Sequence, residues 1–172
     1  FINQRILAAQ IGHSLGIVNR SIKELISEGY LDEEIRPTEK ALCEAKEKAP
    51  KNAIILAAGF GMRMVPINTE TPKGLLEIKG ERLIERTIRQ LHEVGITEIY
   101  VVVGFMKEQY EYLIDEYGVD LIVALDYALK NNLHSLKMAA DHLSNSYIIP
   151  CDIWCEKNPY SRNELYSWYM VS

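Results

Sequence analysis

The 172-residue sequence predicts an α/β domain with a mainly parallel sheet, preceded by a small α-rich domain. Two observations carry this prediction. From residue 53 onward, short β-branched segments alternate with amphipathic segments, as in successive β-α-β units. Before residue 47, apolar residues recur at helical spacing instead. A charged, proline-containing stretch separates the two patterns, so we expect domains at 1–47 and 53–172 with a linker at 48–52.

The amino-terminal domain is predicted to begin with a helix, a tight turn and a second helix. Apolar residues keep helical spacing through residues 6–26, interrupted at Gly12-His13-Ser14. There a C-cap glycine precedes a serine that can cap the next helix. Gly29 is expected to end the second helix, residues 32–37 to form a short hairpin, and Thr38 to cap a last helix.

Residues 1–47 resemble a winged helix-turn-helix domain. The resemblance is carried by Ile6-Leu-Ala-Ala-Gln-Ile-Gly12 and by Val18-Asn-Arg-Ser-Ile-Lys-Glu-Leu-Ile-Ser-Glu-Gly-Tyr-Leu31. It implies that the second helix enters the DNA major groove. The side chains that would face DNA are those of Ser14, Asn19, Arg20 and Lys23.

The charge balance of this domain keeps an alternative open. Residues 1–50 contain seven lysines and arginines against eight acidic residues, so the neutralisation of DNA phosphates is weak. The same helix pair would also serve as an interaction module or as the dimerisation surface of a homodimer.

The second domain is predicted to be Rossmann-like, with helices on both faces of its sheet. The expected strands are 53–57, 98–103, 119–124 and 147–150, and the expected helices are 82–94, 107–117 and 131–143. In such sheets ligands bind beyond the carboxyl ends of the strands. A glycine loop and Asp152 both follow predicted strands, so we expect the site there.

The glycine loop has the parts needed to hold a nucleoside triphosphate. Gly59 and Gly61 remove side chains where backbone amides must approach phosphate oxygens, and Arg63 and Lys73 supply cationic donors. The loop lacks the Gly-Lys-Ser/Thr of a Walker A motif. The third glycine of a dinucleotide fingerprint would fall at Met64, which disfavours that type of site.

The loop resembles the signature of nucleotidyltransferases that activate sugar phosphates and phosphocholine. The match runs through Leu56-Ala57-Ala58-Gly59-Phe60-Gly61-Met62-Arg63, then Pro66 and Thr71-Pro72-Lys73. Three positions depart from the family pattern: Asn68 replaces a common Thr, Gly74 a common Ala or Pro, and Arg82 the usual Pro.

A later segment of the sequence restricts the resemblance to one branch of these nucleotidyltransferases. Asp126-Tyr127-Ala128 and Asn131-Asn132-Leu133-His134-Ser135-Leu136 are similar to the bacterial CTP:phosphocholine cytidylyltransferase branch. The resemblance implies the nucleotide-diphospho-sugar transferase type of fold, of which this sequence covers the amino-terminal half. It also implies transfer of CMP from CTP to phosphocholine, which gives CDP-choline and pyrophosphate.

The resemblance assigns roles to residues of this chain. Arg63 and Lys73 would be catalytic, with Arg63 on the leaving phosphates and Lys73 near the α-phosphate or the acceptor phosphate. Asp152 would bind Mg²⁺, which prefers oxygen ligands. The family's second metal-binding aspartate would lie beyond Ser172, and activity would depend on it. The expected nucleotide contacts are Leu56, Ala57, Ala58, Gly59, Gly61, Arg63, Asn132 and Ser135.

The aromatic residues are candidates for binding the choline group, because aromatic faces attract quaternary ammonium ions. Six aromatics fall within residues 147–169. The candidates for choline contact are Tyr127, Trp154, Tyr166 and Trp168. The alternative is that these aromatics pack the core or a dimer surface.

Composition limits the remaining function classes. The net charge of −5 argues against non-specific binding of nucleic acids or membranes, and no apolar run is long enough to span a bilayer. Three cysteines without paired clusters fit a cytoplasmic protein and argue against a disulfide framework. Two rival functions remain: a sugar-1-phosphate nucleotidylyltransferase, and a DNA-binding regulator that senses a ligand through its nucleotidyltransferase-like domain.

Overall fold

The computed structural model describes residues 3–59, 70–104, 106–124 and 132–170. These residues divide into two compact units. The first contains the described residues up to Ala49 together with those from Leu165 onward, and the second runs from Pro50 to Glu164. The carboxyl-terminal residues, which the sequence pattern places in the 53–172 domain, therefore group with the amino-terminal unit.

The first unit contains three helices, at the positions that the apolar spacing predicts. They are α1 (Gln4–Ile11), α2 (Leu15–Ser27) and α3 (Glu39–Lys48). A small core formed by Ala8, Val18 and Ile22 joins α1 to α2. Between α2 and α3, an antiparallel bridge pairs Leu31 with Pro37, where the sequence predicts a short hairpin.

The helix ends of the first unit carry the predicted caps. Gly12 adopts a left-handed conformation, with φ of 69°, and its N–H donates to the Ala8 carbonyl. Ser14 Oγ accepts a hydrogen bond from the Ile17 N–H, and Thr38 Oγ1 accepts one from the Ala41 N–H. The structure thus confirms the helix, turn, helix order.

The second unit is built on a parallel sheet, as the alternating pattern predicts. Its strands are β1 (Asn52–Ala57), β2 (Glu77–Ile78), β3 (Glu81–Arg82), β4 (Ile99–Val103), β5 (Asp120–Val123) and β6 (Ser146–Pro150). Four of them form one sheet in the order β5-β4-β1-β6, and every neighbouring pair in it is parallel. The predicted Rossmann-like α/β class is therefore confirmed.

Helices cover both faces of this sheet. On one face, α4 (Leu83–Glu93) and α5 (Tyr112–Tyr117) pack on side chains such as Ile55 and Val101. On the other, α6 (Asn132–Met138) packs on a cluster that includes Leu56. β1 lies inside the sheet, between β4 and β6, and is buried along its whole length. None of the helices within the described ranges is long and apolar enough to cross a membrane.

A buried asparagine links the first and last strands of the sheet. Asn52 is 3% exposed. Its Oδ1 accepts a hydrogen bond from Ser146 Oγ at 2.6 Å, and its Nδ2 donates to the His142 carbonyl at 2.8 Å. These bonds satisfy an amide that would otherwise be costly to bury, and they fix the register of β6 beside β1.

Three local features differ from the sequence prediction. The expected helix 131–143 is divided into α6, which ends at Met138, and a 3₁₀ helix at Ala140–His142. The expected helix 107–117 is divided into a 3₁₀ helix at Lys107–Tyr110 and α5. A two-residue antiparallel pair, β2 with β3, is not anticipated by the strand pattern. Its turn residues Lys79 and Gly80 both have positive φ, as a type I′ turn requires. Lysine is unusual in that conformation, so the sequence does not indicate the turn.

Candidate active site

The carboxyl ends of β1 and β6 lie side by side and carry two of the predicted site residues. Gly59 follows β1 and Asp152 follows β6. The Cys151 N–H donates to the Leu56 carbonyl at 3.2 Å, so the ladder between the two strands continues to the residue before Asp152. The strand order reverses between these strands, since β4 and β5 lie on the other side of β1. Such a reversal is where parallel α/β sheets bind ligands.

Lys73 joins this strand end from a different part of the chain. It begins a 3₁₀ helix at Lys73–Leu75, and its Nζ lies 3.2 Å from Asp152 Oδ2. The Lys73 side chain is 23% exposed and that of Asp152 is 45% exposed. Two residues that the sequence predicts for one site are therefore in contact, and both remain open to a ligand. A pair this exposed adds little to stability.

Buried side chains pack closely against the backbone of the residue that follows Lys73. Gly74 lies against Tyr110 and Cys151, both of which are buried. Burial raises the pKa of the Tyr110 phenol above its ordinary range and raises the pKa of the Cys151 thiol to about 12. The thiol is therefore neutral at physiological pH and acts as a packing group rather than as a nucleophile.

The absence of a side chain at residue 74 has a packing reason. A Cβ at Gly74 would lie 3.1 Å from Tyr110 Oη and 3.2 Å from Cys151 Cβ. We expect Gly74→Ala to lower the free energy of unfolding by about 1–3 kcal/mol, because the buried neighbours must move. Denaturant unfolding of the chain measures this loss.

Gly59→Ala is the matched control for that experiment. A Cβ at Gly59 would meet no heavy atom of the described residues within 4 Å, and the φ of Gly59 is not in the left-handed region. We therefore expect Gly59→Ala to leave the free energy of unfolding unchanged. An equal loss in both variants would contradict the packing explanation for Gly74.

The open space around Gly59 is also relevant to ligand binding. Neither the backbone conformation nor packing against the described residues requires a glycine there, yet the residue is exposed at the end of β1. A bare backbone at this point allows a ligand to approach the peptide N–H groups closely.

The other predicted nucleotide contacts are less accessible or lie outside the described residues. Leu56, Ala57 and Ala58 are buried at the end of β1 and just after it, and Ser135 in α6 is 6% exposed. Outside the described residues lie Gly61, Arg63, Tyr127 and the side chain of Asn132.

The candidate choline-binding aromatics that the structure describes belong to both units. Trp154 is in the second unit, where the Arg86 guanidinium lies 4.3 Å from its ring centre. Tyr166 and Trp168 belong to the first unit. Tyr147 and Tyr160 pack edge to face within the core of the second unit, as the packing alternative expects.

Several side chains that hold the segment after Asp152 are not predicted by the sequence pattern. Arg86 donates to the carbonyls of Cys155 and Glu156, and Gln90 also donates to Cys155. Gln90 is a polar residue on the apolar face of an amphipathic helix, and this is the signal that could have identified it.

Within the part of the chain that the structure describes, Asp152 is the carboxylate that this strand edge offers to a metal ion. The described residues contain no group of three or more His, Cys, Asp or Glu side chains placed to hold a metal. Magnesium usually binds through one or two carboxylates together with substrate phosphates and water. Asp152, exposed at the strand edge that also carries Gly59, fits a magnesium ion that arrives with a nucleotide.

Comparison with known proteins gives the family. Residues 53–159, more than half of the chain, match the family described as the MobA-like NTP transferase domain. The chain belongs to this family. The match begins in β1 and ends beyond Asp152, so the MobA-like NTP transferase domain includes the glycine loop, Lys73 and the carboxyl end of β6.

Individual relatives of this MobA-like NTP transferase domain include named cytidylyltransferases. The choline-phosphate cytidylyltransferase of Streptococcus pneumoniae (strain ATCC BAA-255 / R6) is 45% identical over 113 residues, which are 66% of this chain and 49% of that protein. The 2-aminoethylphosphonate cytidylyltransferase of Lancefieldella rimae is 42% identical over 102 residues, 59% of this chain and 42% of that protein.

A solved structure gives the same result for the fold. The CTP:phosphocholine cytidylyltransferase from Streptococcus pneumoniae superimposes with a TM-score of 0.65 at 42% identity, covering 67% of this chain and 50% of that one. The chain thus spans about half the length of the relatives it matches.

Proposed function

We propose that the protein carrying this sequence is a magnesium-dependent cytidylyltransferase that transfers CMP from CTP to phosphocholine. The observation that carries the proposal is the contact between Lys73 and Asp152, beside the exposed Gly59 at the switch in strand order. A cation, a carboxylate and accessible backbone amides at one strand edge suit a substrate with several phosphates.

In the proposed reaction, a phosphate oxygen of phosphocholine attacks the α-phosphorus of CTP, and pyrophosphate leaves. Both reactants are anionic, so rate enhancement comes from alignment and from neutralising charge in the transition state. The backbone at Gly59 would receive phosphate oxygens, Arg63 would bind the leaving phosphates, and Lys73 would stabilise the α-phosphate. A magnesium ion on Asp152 would supply further positive charge.

The acceptor is proposed from the relatives. Of the two cytidylyltransferases compared above, the one with the higher identity is named for choline phosphate and the other for 2-aminoethylphosphonate. Phosphocholine is the better-supported acceptor because residues 126–136 resemble the phosphocholine branch. A sugar 1-phosphate is the rival within the same enzyme class.

Pyrophosphate release tests this proposal. The protein that carries this sequence is incubated with Mg²⁺, one nucleoside triphosphate and one acceptor, and every combination of CTP or UTP with phosphocholine, 2-aminoethylphosphonate or glucose 1-phosphate is compared. We expect the highest kcat/KM with CTP and phosphocholine. Faster release with UTP and the sugar phosphate would replace the proposed acceptor, and no release with any pair would reject the enzyme class.

A second function is proposed for the first unit, namely DNA binding through α2. The observation that favours it is the capped turn between α1 and α2, which leaves Arg20 and Lys23 exposed on α2. Ser14 is engaged as the cap of the same helix, and Asn19 Oδ1 is buried. Arg20 and Lys23 are therefore the side chains most available to DNA phosphates.

A double substitution tests the DNA proposal. We expect Arg20→Ala with Lys23→Ala to weaken binding of a fluorescent duplex and to lower the salt slope of log Kd by about one for each lost phosphate contact. Lys46→Ala, an exposed change on α3, serves as the control. Equal binding by all three proteins would reject DNA binding through Arg20 and Lys23. No binding by the unaltered chain would reject DNA binding altogether and favour a dimerisation role.

A further inference from the structure

We propose that Arg86 of α4 is a positioning residue that fixes the segment 152–156 and thereby the carboxylate of Asp152. The inference rests on the proposed function for its catalytic consequence, although the positioning itself rests on contacts within the second unit. Asp152 follows β6 but lies in no helix or strand of its own. Side chains from elsewhere must therefore restrict its backbone.

Arg86 uses every part of its guanidinium fork. Its Nε donates to the Cys155 carbonyl at 2.8 Å, and its Nη2 donates to the Glu156 carbonyl at 2.5 Å. Its Nη1 donates to Glu81 Oε2 at 2.9 Å. Two consecutive carbonyls are thus held by one rigid, planar group, whose side chain is only 16% exposed.

Two further contacts complete the attachment. Gln90, one helical turn after Arg86 on α4, is 4% exposed and donates to the same Cys155 carbonyl at 3.0 Å. The Trp154 ring faces the Arg86 guanidinium at 4.3 Å. Three consecutive residues of the segment, 154–156, therefore contact Arg86, beginning only two residues after Asp152.

This arrangement gives Trp154 a role different from choline binding. One face of its ring already carries a cation that belongs to the protein. Trp154 and Arg86 therefore stabilise each other. Together they hold the chain that follows the end of β6, where Lys73 contacts Asp152.

Arg89 provides a matched control on the same helix. Its Nη2 also pairs with Glu81, at 2.5 Å from Oε1, but its side chain is 54% exposed and, within the described ranges, forms no hydrogen bond or ion pair with residues 152–156. Replacing Arg86 or Arg89 with glutamine removes one positive charge and one partner of Glu81 in either case. Only Arg86→Gln removes the hydrogen bonds that α4 donates through an arginine to the segment.

Hydrogen exchange measured by mass spectrometry tests the positioning in the chain without any substrate. We expect Arg86→Gln to accelerate amide exchange in a peptide covering 151–161 by roughly tenfold or more, because the hydrogen-bonded N–H groups of Cys151, Tyr160 and Ser161 lose protection when the chain between them is no longer held. Arg89→Gln should keep the unaltered rate there. Equal rates in the two variants would overturn the inference.

A conservative variant keeps the test decisive if Arg86→Gln does not fold. Arg86→Lys keeps the charge but lacks the fork that reaches two carbonyls and Glu81 together. We expect faster exchange in the 151–161 peptide for this variant as well. Unaltered exchange in a folded Arg86→Lys variant would show that charge alone suffices and would overturn the fork-based positioning.

Metal-nucleotide binding tests the consequence for Asp152, in the protein that carries this sequence. With Mn²⁺ and CTP as the probe, isothermal titration is expected to give about tenfold weaker binding for Arg86→Gln and unaltered binding for Arg89→Gln. Unaltered binding for Arg86→Gln would overturn the link to Asp152. No binding by the unaltered protein would instead reject the proposed function, and the exchange rates would still decide the positioning.

Discussion

Replacing Lys73 with methionine is expected to lower kcat for pyrophosphate release by roughly 10²–10³-fold, the usual cost of removing one preorganised donor to a transition-state charge. Methionine keeps much of the length of the side chain and removes its charge. The Lys73 side chain is partly exposed and lies 3.2 Å from Asp152, so its replacement removes a positive charge from the proposed site with little loss of packing. Steady-state kinetics with CTP and phosphocholine measure the effect.

The kinetic pattern separates a transition-state role from simple substrate binding. If Lys73 acts on the α-phosphate as charge develops, kcat falls while KM for CTP changes less. Lys51→Met, an exposed change just before β1, is the control for charge loss and should leave kcat unaltered. A Lys73→Met variant with the kcat of this control would remove Lys73 from the proposed mechanism.

Replacing Asp152 with alanine is expected to abolish measurable turnover. Asp152 provides the carboxylate at the end of β6, and the proposed magnesium ion depends on it. Alanine also leaves Lys73 without its carboxylate partner, so both charges of the site are disturbed. The measurement is pyrophosphate release over a range of Mg²⁺ concentrations.

Two accompanying measurements make the Asp152 experiment specific. The free energy of unfolding should change by less than about 1 kcal/mol, because an ion pair this exposed contributes little to stability. Asp141→Ala, in the exposed turn after α6, should keep both stability and turnover. If Asp152→Ala retained activity at ordinary Mg²⁺ concentrations, Asp152 would not be the metal ligand.

The sheet could be predicted from the sequence because its elements are locally consistent. The apolar run that becomes β1 is short and lies between a polar Lys51-Asn52 pair and Gly59, and α4 keeps Ile84, Ile88 and Leu91 on one face. The divided segment 107–117 could not be predicted. The apolar residues of this segment do recur at helical spacing. The 3₁₀ turn, however, depends on Tyr110 packing over Gly74, a contact between residues far apart in the chain.

The site was predictable only where a motif identifies a residue. Lys73 and Asp152 were predicted separately, from a loop signature and from the end of a strand, and the structure brings them into contact. Arg86 and Trp154 illustrate the limit. An arginine on a surface helix and a tryptophan after a strand have no local pattern that pairs them, because the pairing arises from tertiary folding.

The order of the strands has a consequence for how the protein acquires its site during folding. β1 is central, but its neighbour β6 follows it by about 90 residues, and the bonds between Asn52 and Ser146 form only when β6 arrives. Contacts this distant in sequence carry a large loop-closure entropy and form late. On the ribosome, Lys73 would be synthesised long before Asp152, so nucleotide binding would report that the whole sheet has closed.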